Sequence, residues 1–122
     1  MKRIVSAALV LAVISGCAES AEEKAVRQEK EANSSLEIDA RLAVEAQLRD
    51  PASAKFEEVA VYKGADGSKR VCGFVNAANA FGGMAGRRPF VAGNGSAFIG
   101  NPENAAEFRL VWSQACQLRQ ES

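Results

Sequence analysis

Residues 56–63 (FEEVAVYK), 64–67 (GADG) and 69–76 (KRVCGFVN) decide the fold of this chain. The first stretch alternates imperfectly between apolar and polar residues and predicts a strand. The middle stretch has the composition of a turn, and the last is predicted to be the second strand of a β-hairpin. On the second strand, one face carries Cys72, Phe74 and Asn76, and the other carries Val71, Gly73 and Val75. Since both faces include apolar groups, this strand either lies covered in the middle of a sheet or leaves one face for a partner.

A second hairpin is predicted downstream, from residues 88–92 and 96–100, because Asn94-Gly95 between them is a strong turn signal. A last helix is then expected to open at Asn101-Pro102, with Asn104 and Glu107 as a capping pair. Its predicted apolar stripe consists of Phe108, Val111, Trp112, Ala115, Cys116 and Leu118. Such a stripe would lie on the sheet and aim Cys116 toward Cys72.

Upstream of the first hairpin, Ser34 and Glu37 fit a capping box and apolar residues follow at helical spacing. The pattern predicts a helix from about Ser35 to Arg49, which Pro51 ends. Asp50 is expected to cap a short turn that begins at Pro51. Residues 35–122 are therefore predicted to form one α+β domain, an antiparallel sheet of about four strands flanked by an N-terminal and a C-terminal helix.

The first residues have the pattern of a secretory leader: a basic start is followed by an apolar run from Ile4 to Val13 and by Ile14-Ser15-Gly16-Cys17. The run is too short to span a bilayer, and its ending resembles a bacterial lipobox. Residues 1–16 are thus predicted to be a removed signal peptide, with Cys17 as the lipid anchor. The alternatives are ordinary cleavage that releases a secreted protein, and a retained membrane helix.

A charged segment follows the anchor: in residues 18–34, Val26 is the only large apolar side chain. This predicts a solvated tether, either frayed helix or coil, between the lipidated cysteine and the domain. Two or more acyl chains anchor a protein durably. Because Ala18 and not Asp follows the cysteine, we expect an envelope protein in the outer membrane that faces the periplasm and contacts the membrane through its lipid.

Composition excludes several function classes. Without residues 1–16, thirteen basic residues stand against fifteen acidic ones, so a basic footprint for nucleic acid is not predicted. The chain contains no histidine, which removes the usual general base and the usual zinc ligand. We therefore predict no metal and no cofactor, and the enzyme hypotheses must rely on carboxylates, lysine or a thiol.

If Cys17 is acylated, Cys72 and Cys116 are the remaining thiols, and an exported chain carries them into an oxidising compartment. A disulfide between them is predicted. The alternatives are two unpaired buried thiols or a bond between chains.

The segment from Asn76 to Phe90 is rich in glycine and contains two consecutive arginines. Backbone amides of its glycines could converge on an anion beside the arginines, although the spacing of a P-loop is absent. The favoured interpretation is a long connection whose glycines adopt special backbone conformations. Its candidate ligand or partner surface consists of Asn76, Asn79, Phe81, Gly82, Gly83, Arg87 and Arg88.

Two further expectations concern nearby side chains. Glu57 and Glu58 are adjacent on a strand, so we expect them to point to opposite sides and not to act as a catalytic pair. Phe81 and Phe90 bracket the loop and are expected in the core, with contact to a partner as the alternative.

Residues 50–56 (DPASAKF), 71–76 (VCGFVN) and 79–83 (NAFGG) carry a resemblance. The chain is similar to a group of small bacterial proteins, often exported, with the motifs D-P-x-S-A-x-F and V-C-G-x-V-N-x-x-N-x-F-G-G. The group often has an aromatic residue where Met84 stands. The resemblance implies a structural cysteine at Cys72 and no catalytic residue.

The sequence thus favours a lipid-anchored, non-enzymatic binding or inhibitor module whose partner is an envelope protein or a wall-associated ligand. One alternative is an anion- or sugar-acid-binding site or an enzyme at the glycine loop, with Asp50 for acid–base work. Another is a structural or stress-related envelope component.

Overall fold

The computed structural model describes residues 18–79 and 81–122 and shows an α+β fold in which a helix lies at each end of the sheet-forming segment. The elements are α1 (Ala21–Glu45), a 3-10 turn (Pro51–Ser53), β1 (Lys55–Lys63), β2 (Lys69–Asn76), β3 (Arg88–Gly93), β4 (Ser96–Ile99), α2 (Ala105–Ala115) and β5 (Leu118–Arg119). The leader and Cys17 lie outside the described residues. Within those residues, no helix has the length and apolar character that crossing a bilayer requires.

The sheet is antiparallel and has the strand order β4-β3-β2-β1-β5. The two predicted hairpins are confirmed and pair with each other through β2 and β3. The fifth strand was missed, because two residues, Leu118 and Arg119, are too short to show a period of two. Leu118 was expected on the stripe of the last helix; it instead pairs with Lys63 at the edge of the sheet and is exposed.

Strand β2 lies in the centre of the sheet and is covered on both faces. Val71 and Val75 pack toward α1 in one buried cluster with Phe90 and Val44. On the opposite face, Cys72 belongs to the cluster that packs under α2. The chain's own helices therefore bury β2 at Val71, Cys72 and Val75, whereas Phe74 on the α2 side is only partly buried.

Helix α1 begins well before the predicted start at Ser35. The Ser20 hydroxyl accepts a hydrogen bond from the Glu23 amide at 3.1 Å, and acidic side chains in the first turn complement the helix dipole. Arg27 pairs with Glu19 at 2.9 Å and lies 4.0 Å from Glu31. The segment expected to be a tether of frayed helix or coil is therefore continuous helix from Ala21 onward. The whole of α1, 25 residues, is about 37 Å long.

One polar residue holds this helix to the domain. Asn33 is only 1% exposed; its side-chain amide donates to the backbone oxygen of Glu121 at 2.6 Å and accepts from Lys69 Nζ at 2.8 Å. The Lys69 ammonium also lies 3.5 Å from Glu29. Because both hydrogen-bonding ends of the buried amide are satisfied, Asn33 ties α1 to β2 and to the C-terminal segment.

A bulge interrupts β1 between Glu57 and Ala60, where two residues oppose the single residue Gly73. Glu58 has a φ of 53°, in the left-handed region. A Cβ atom at Gly73 would lie 3.0 Å from the Val59 Cα and 3.1 Å from the Phe90 ring, so a side chain there would require these neighbours to shift by a few tenths of an ångström. The bulge changes the side to which Glu58 points, which matters for the site described below.

The two hairpin turns have the chemistry that their sequences predict. Asn94 and Gly95 both adopt positive φ, as a two-residue hairpin turn demands. In the first turn, hydrogen bonds from the Ser68 hydroxyl at 2.6 Å and from its backbone N–H at 2.9 Å lower the pKa of Asp66. These hydrogen bonds therefore contribute their full stabilisation of the turn at pH values above the ordinary pKa of an aspartate. The stabilisation is lost as the pH falls through the lowered pKa of Asp66.

The sulfurs of Cys72 and Cys116 lie 2.00 Å apart, the distance of the predicted disulfide. Cys72 is buried in β2, and Cys116 follows the last residue of α2. The bond therefore joins the end of α2 to the central strand.

Removing this bond should lower stability strongly. In C72A/C116A we expect the free energy of unfolding to fall by about 4 kcal/mol, since the two cysteines are 44 residues apart and the cross-link restricts the unfolded chain. Urea unfolding of the variant, of the oxidised protein and of the reduced protein would measure this. Alkylation of Cys72 and Cys116 in unreduced, denatured protein, detected by mass spectrometry, would contradict the disulfide.

The bulge can be tested with a matched pair of variants. Glu58→Gly and Glu58→Ala remove the same carboxylate, but only glycine tolerates a positive φ without strain. We expect the glycine variant to be more stable than the alanine variant by about 1 kcal/mol in chemical denaturation. Equal stabilities would show that residue 58 does not hold this conformation in solution.

Candidate functional site

The glycine loop, residues 77–87, is closed by its own hydrogen bonds. The amide of Asn79 donates to the Gly83 oxygen at 2.7 Å, and that of Gly82 donates to the Asn79 oxygen at 3.1 Å. The Gly86 amide donates to the Asn76 side-chain oxygen at 3.1 Å. Since the amides of Gly82 and Gly86 are used inside the loop, they do not form the anion cradle that the sequence offered as an option. Gly82 and Gly86 adopt φ of 80° and 97°, as the favoured interpretation expects.

Ser53 attaches the loop to the 3-10 turn before β1. Its hydroxyl accepts from the Ala78 amide at 2.8 Å and donates to the Asp50 backbone oxygen at 2.7 Å. The Asp50 side chain makes no capping hydrogen bond, so the expectation that it caps this turn was wrong. Asn79 is likewise structural, because its side-chain oxygen accepts from the Phe81 amide at 2.9 Å. Several residues of the two sequence motifs thus shape the loop.

The two phenylalanines that bracket the loop have opposite environments. Phe90 is fully buried and packs edge-on against Phe56, with ring centroids 5.9 Å apart. Phe81 is 96% exposed. The core assignment is confirmed for Phe90 and wrong for Phe81, whose apolar neighbours along the chain are too small to enclose it.

Arg87 is fixed by three side chains. Its guanidinium Nε lies 2.9 Å from a Glu57 oxygen, its Nη2 lies 3.0 Å from a Glu58 oxygen, and its Cζ lies 3.6 Å from the centre of the Phe74 ring. The expectation that the two glutamates point apart was wrong, because the bulge in β1 turns both toward Arg87. Each exposed ion pair contributes little stability alone, but the stacked, two-carboxylate arrangement restricts the rotamers of the arginine. Two carboxylates face one guanidinium, so the cluster of Arg87, Glu57 and Glu58 carries one net negative charge.

A row of four aromatic side chains, Phe74, Trp112, Phe108 and Phe98, runs along the α2 side of the sheet. Neighbouring rings in this row lie 5.4–5.8 Å apart between centroids. Beside the row is a groove of about 710 Å³, between α2 and the start of β3, which we call the aromatic groove. Its floor includes Phe74, Phe108, Trp112, Pro89 and Pro102.

The charged residues of the aromatic groove are all arginines: Arg87, Arg88 and Arg109. Arg87 is paired as described. Arg88 and Arg109 make no ion pair within residues 18–79 and 81–122. The groove therefore presents an apolar floor and two uncompensated positive charges to solvent.

A second depression, which we call the polar cleft, has a volume of about 540 Å³ and lies between the segment after α1, the glycine loop and the loop before α2. Arg49 and Arg88 supply its charge, and Asn79, Asn101, Asn104 and Gln47 supply its amides. Asn101 and Asn104 brace each other, because each side-chain oxygen accepts from the other's backbone amide at 2.8 Å. Asn104 thus fixes the loop before α2, whereas the predicted side-chain cap of the helix is not formed.

The predicted surface residues do not form one site. Arg88 lines both depressions, Arg87 lines the aromatic groove, and Asn79 lines the polar cleft. Phe81, Gly82 and Gly83 line neither.

Sequence reasoning missed four contributors to the two depressions: Phe74, Trp112, Arg109 and Arg49. From the sequence, Phe74 was assigned to a strand and Trp112 to the apolar stripe of the last helix. In the structure both rings are only partly buried, so each also lines the groove. The sequence signal that could have located the groove is the position of Arg109 between Phe108 and Trp112 of the helix stripe.

In the described part of the chain, no three or more Asp, Glu or Cys side chains are grouped as metal ligands. Comparison of the chain with known protein families, with curated proteins and with solved structures finds no match.

Proposed function

We propose that this protein is a lipid-anchored, non-enzymatic binding module of the bacterial envelope. The aromatic groove is its docking surface, and the partner is a segment of another envelope protein that carries a large apolar side chain next to a carboxylate. The observation that carries this proposal is the combination of an aromatic floor with two arginines, Arg88 and Arg109, that have no counter-charge in the described chain.

The chemistry of the groove supports binding of an acidic, apolar segment. Tryptophan and arginine dominate the energetics of protein interfaces, and an aromatic floor offers apolar area at a low entropic cost. An exposed guanidinium pairs well with a carboxylate, often through two parallel hydrogen bonds. Arg87, held against Phe74 by two glutamates, adds a rigid wall. The volume of about 710 Å³ is within the usual range of ligand sites and would accept one or two side chains.

The same lining disfavours catalysis. The chain has no histidine, and the residues that line the groove include no carboxylate, lysine or thiol, the groups on which the enzyme hypotheses rely. Asp50, the carboxylate that the sequence offered for acid–base work, lines neither depression.

The fold supports a raised position above the membrane. Residues 21–32 of α1 are exposed throughout, and the helix is first buried at Asn33. If Cys17 carries the lipid, these turns of helix would hold the domain about 18 Å from the anchor.

The anchor itself is directly measurable. We expect the mature protein to begin at Cys17 with diacylglycerol and a further acyl chain, and to partition into the membrane fraction, because two or more chains bind durably. Mass spectrometry of the N-terminal peptide tests this, with Cys17→Ser as the control that should lose both properties. A native N-terminus without acylation would contradict the envelope placement, whereas the groove would still be testable as a binding site.

The docking surface can be tested by photo-crosslinking in cells. A benzophenone amino acid at Pro102, which lines the groove in the loop before α2, should capture a partner, and one at Leu110, which is 66% exposed on α2 but outside the groove, should not. We expect Arg109→Glu to reduce capture from Pro102 at least about tenfold through charge repulsion, and Arg119→Glu on β5 to leave it unchanged.

The captured segment, identified by peptide mapping, should contain an aspartate or glutamate beside a large apolar residue. Equal capture from Leu110, capture that survives Arg109→Glu, or absence of capture from Pro102 would each overturn the aromatic groove as the docking surface.

A further inference from the structure

The polar cleft contains hydrogen-bonding groups that the protein itself does not use, and most of them are donors. The guanidinium groups of Arg49 and Arg88 have no carboxylate partner in the described residues. The side-chain oxygens of Asn79 and Asn101 are already occupied, by the amides of Phe81 and Asn104, so their NH₂ groups remain available. A cleft with this inventory is complementary to a ligand rich in acceptors and negatively charged.

The positions of these donors follow from separate elements of the fold. Arg49 comes from the segment after α1, Asn79 from the glycine loop, Arg88 from the first residue of β3 and Asn101 from the loop before α2. Gln47 is held in place by a hydrogen bond from its amide to the backbone oxygen of Ala97. Four segments distant in sequence thus converge on one cleft, and none of its lining residues is acidic.

The cleft also has an apolar side, formed by the partly exposed residues Leu48, Phe98 and Ile99. A purely inorganic anion would gain nothing from this surface. The apolar C–H faces of a sugar ring would cover it, the sugar hydroxyls would accept from the asparagine NH₂ groups, and a planar carboxylate would match a guanidinium.

We propose that the polar cleft binds a sugar acid, a ring that carries a carboxylate together with hydroxyl groups. Arg49 and Arg88 bind the carboxylate, and Asn79 and Asn101 bind the hydroxyls. The aromatic groove shares Ala85, Arg88 and Asn101 with the polar cleft, but it contains neither Arg49 nor Asn79.

The test is a titration of the full protein, labelled with ¹⁵N, with four probes: glucuronate, galacturonate, glucose and inorganic phosphate. We expect saturable shifts at Asn79, Asn101 and the Arg49 side chain with at least one of the two sugar acids, and none with glucose or phosphate at equal concentration and ionic strength. Arg49→Gln should weaken the binding at least about tenfold. Arg119→Gln, an exposed arginine on β5 that lines neither depression, is the matched control and should bind as the original protein does.

Each other outcome would overturn the proposal. Equal shifts with phosphate would show a site for any anion, and equal shifts with glucose would show that the arginines do not contribute. Binding of a sugar acid that Arg49→Gln leaves unchanged would place the site elsewhere. Shifts with none of the four probes would remove it, and would leave the docking role of the aromatic groove to be judged by the crosslinking experiment.

Discussion

The cross-link between Cys72 and Cys116 is the constraint on which the functional surface depends. It fixes the end of α2 to the central strand of the sheet, so that Trp112 packs against Phe74 and Phe108 packs against Phe98. A helix of eleven residues has little stability by itself and gains most of it from packing. The aromatic groove is the space left between this short helix and the sheet, and its shape therefore follows from the position of the cross-link.

A second constraint is local and comes from the bulge in β1. One extra residue opposite Gly73 turns two neighbouring glutamates to one side of the strand, where they hold Arg87 against Phe74. The pairing engages one of the three arginines of the groove and leaves Arg88 and Arg109 without an ion pair in the described residues. A strand without the bulge would place one glutamate on the α1 side, and the groove would have a different charge.

Much of the architecture was predictable, because period-two alternation and an Asn-Gly turn specify hairpins with little help from tertiary context. What failed depends on contacts far apart in sequence. The start of α1 was misplaced, since Asn33 is held by Glu121 and Lys69, 88 and 36 positions away, and such contacts are invisible to a search for an apolar stripe. The bulge could not be predicted either, because its residue with positive φ is Glu58 and not a glycine. The two depressions combine residues from four or more segments, so no local pattern could have located Arg49 beside Arg88.

Nuclear Overhauser effects in the oxidised protein test most directly whether α2 is held over the sheet as described. We predict cross-peaks between the Trp112 and Phe74 rings, together with upfield-shifted Arg87 side-chain protons, because the guanidinium carbon lies 3.6 Å from the centre of the Phe74 ring. Both signals should weaken when the disulfide is reduced. A solvent-exposed Trp112 without contacts to Phe74 in the oxidised protein would contradict the proposed groove.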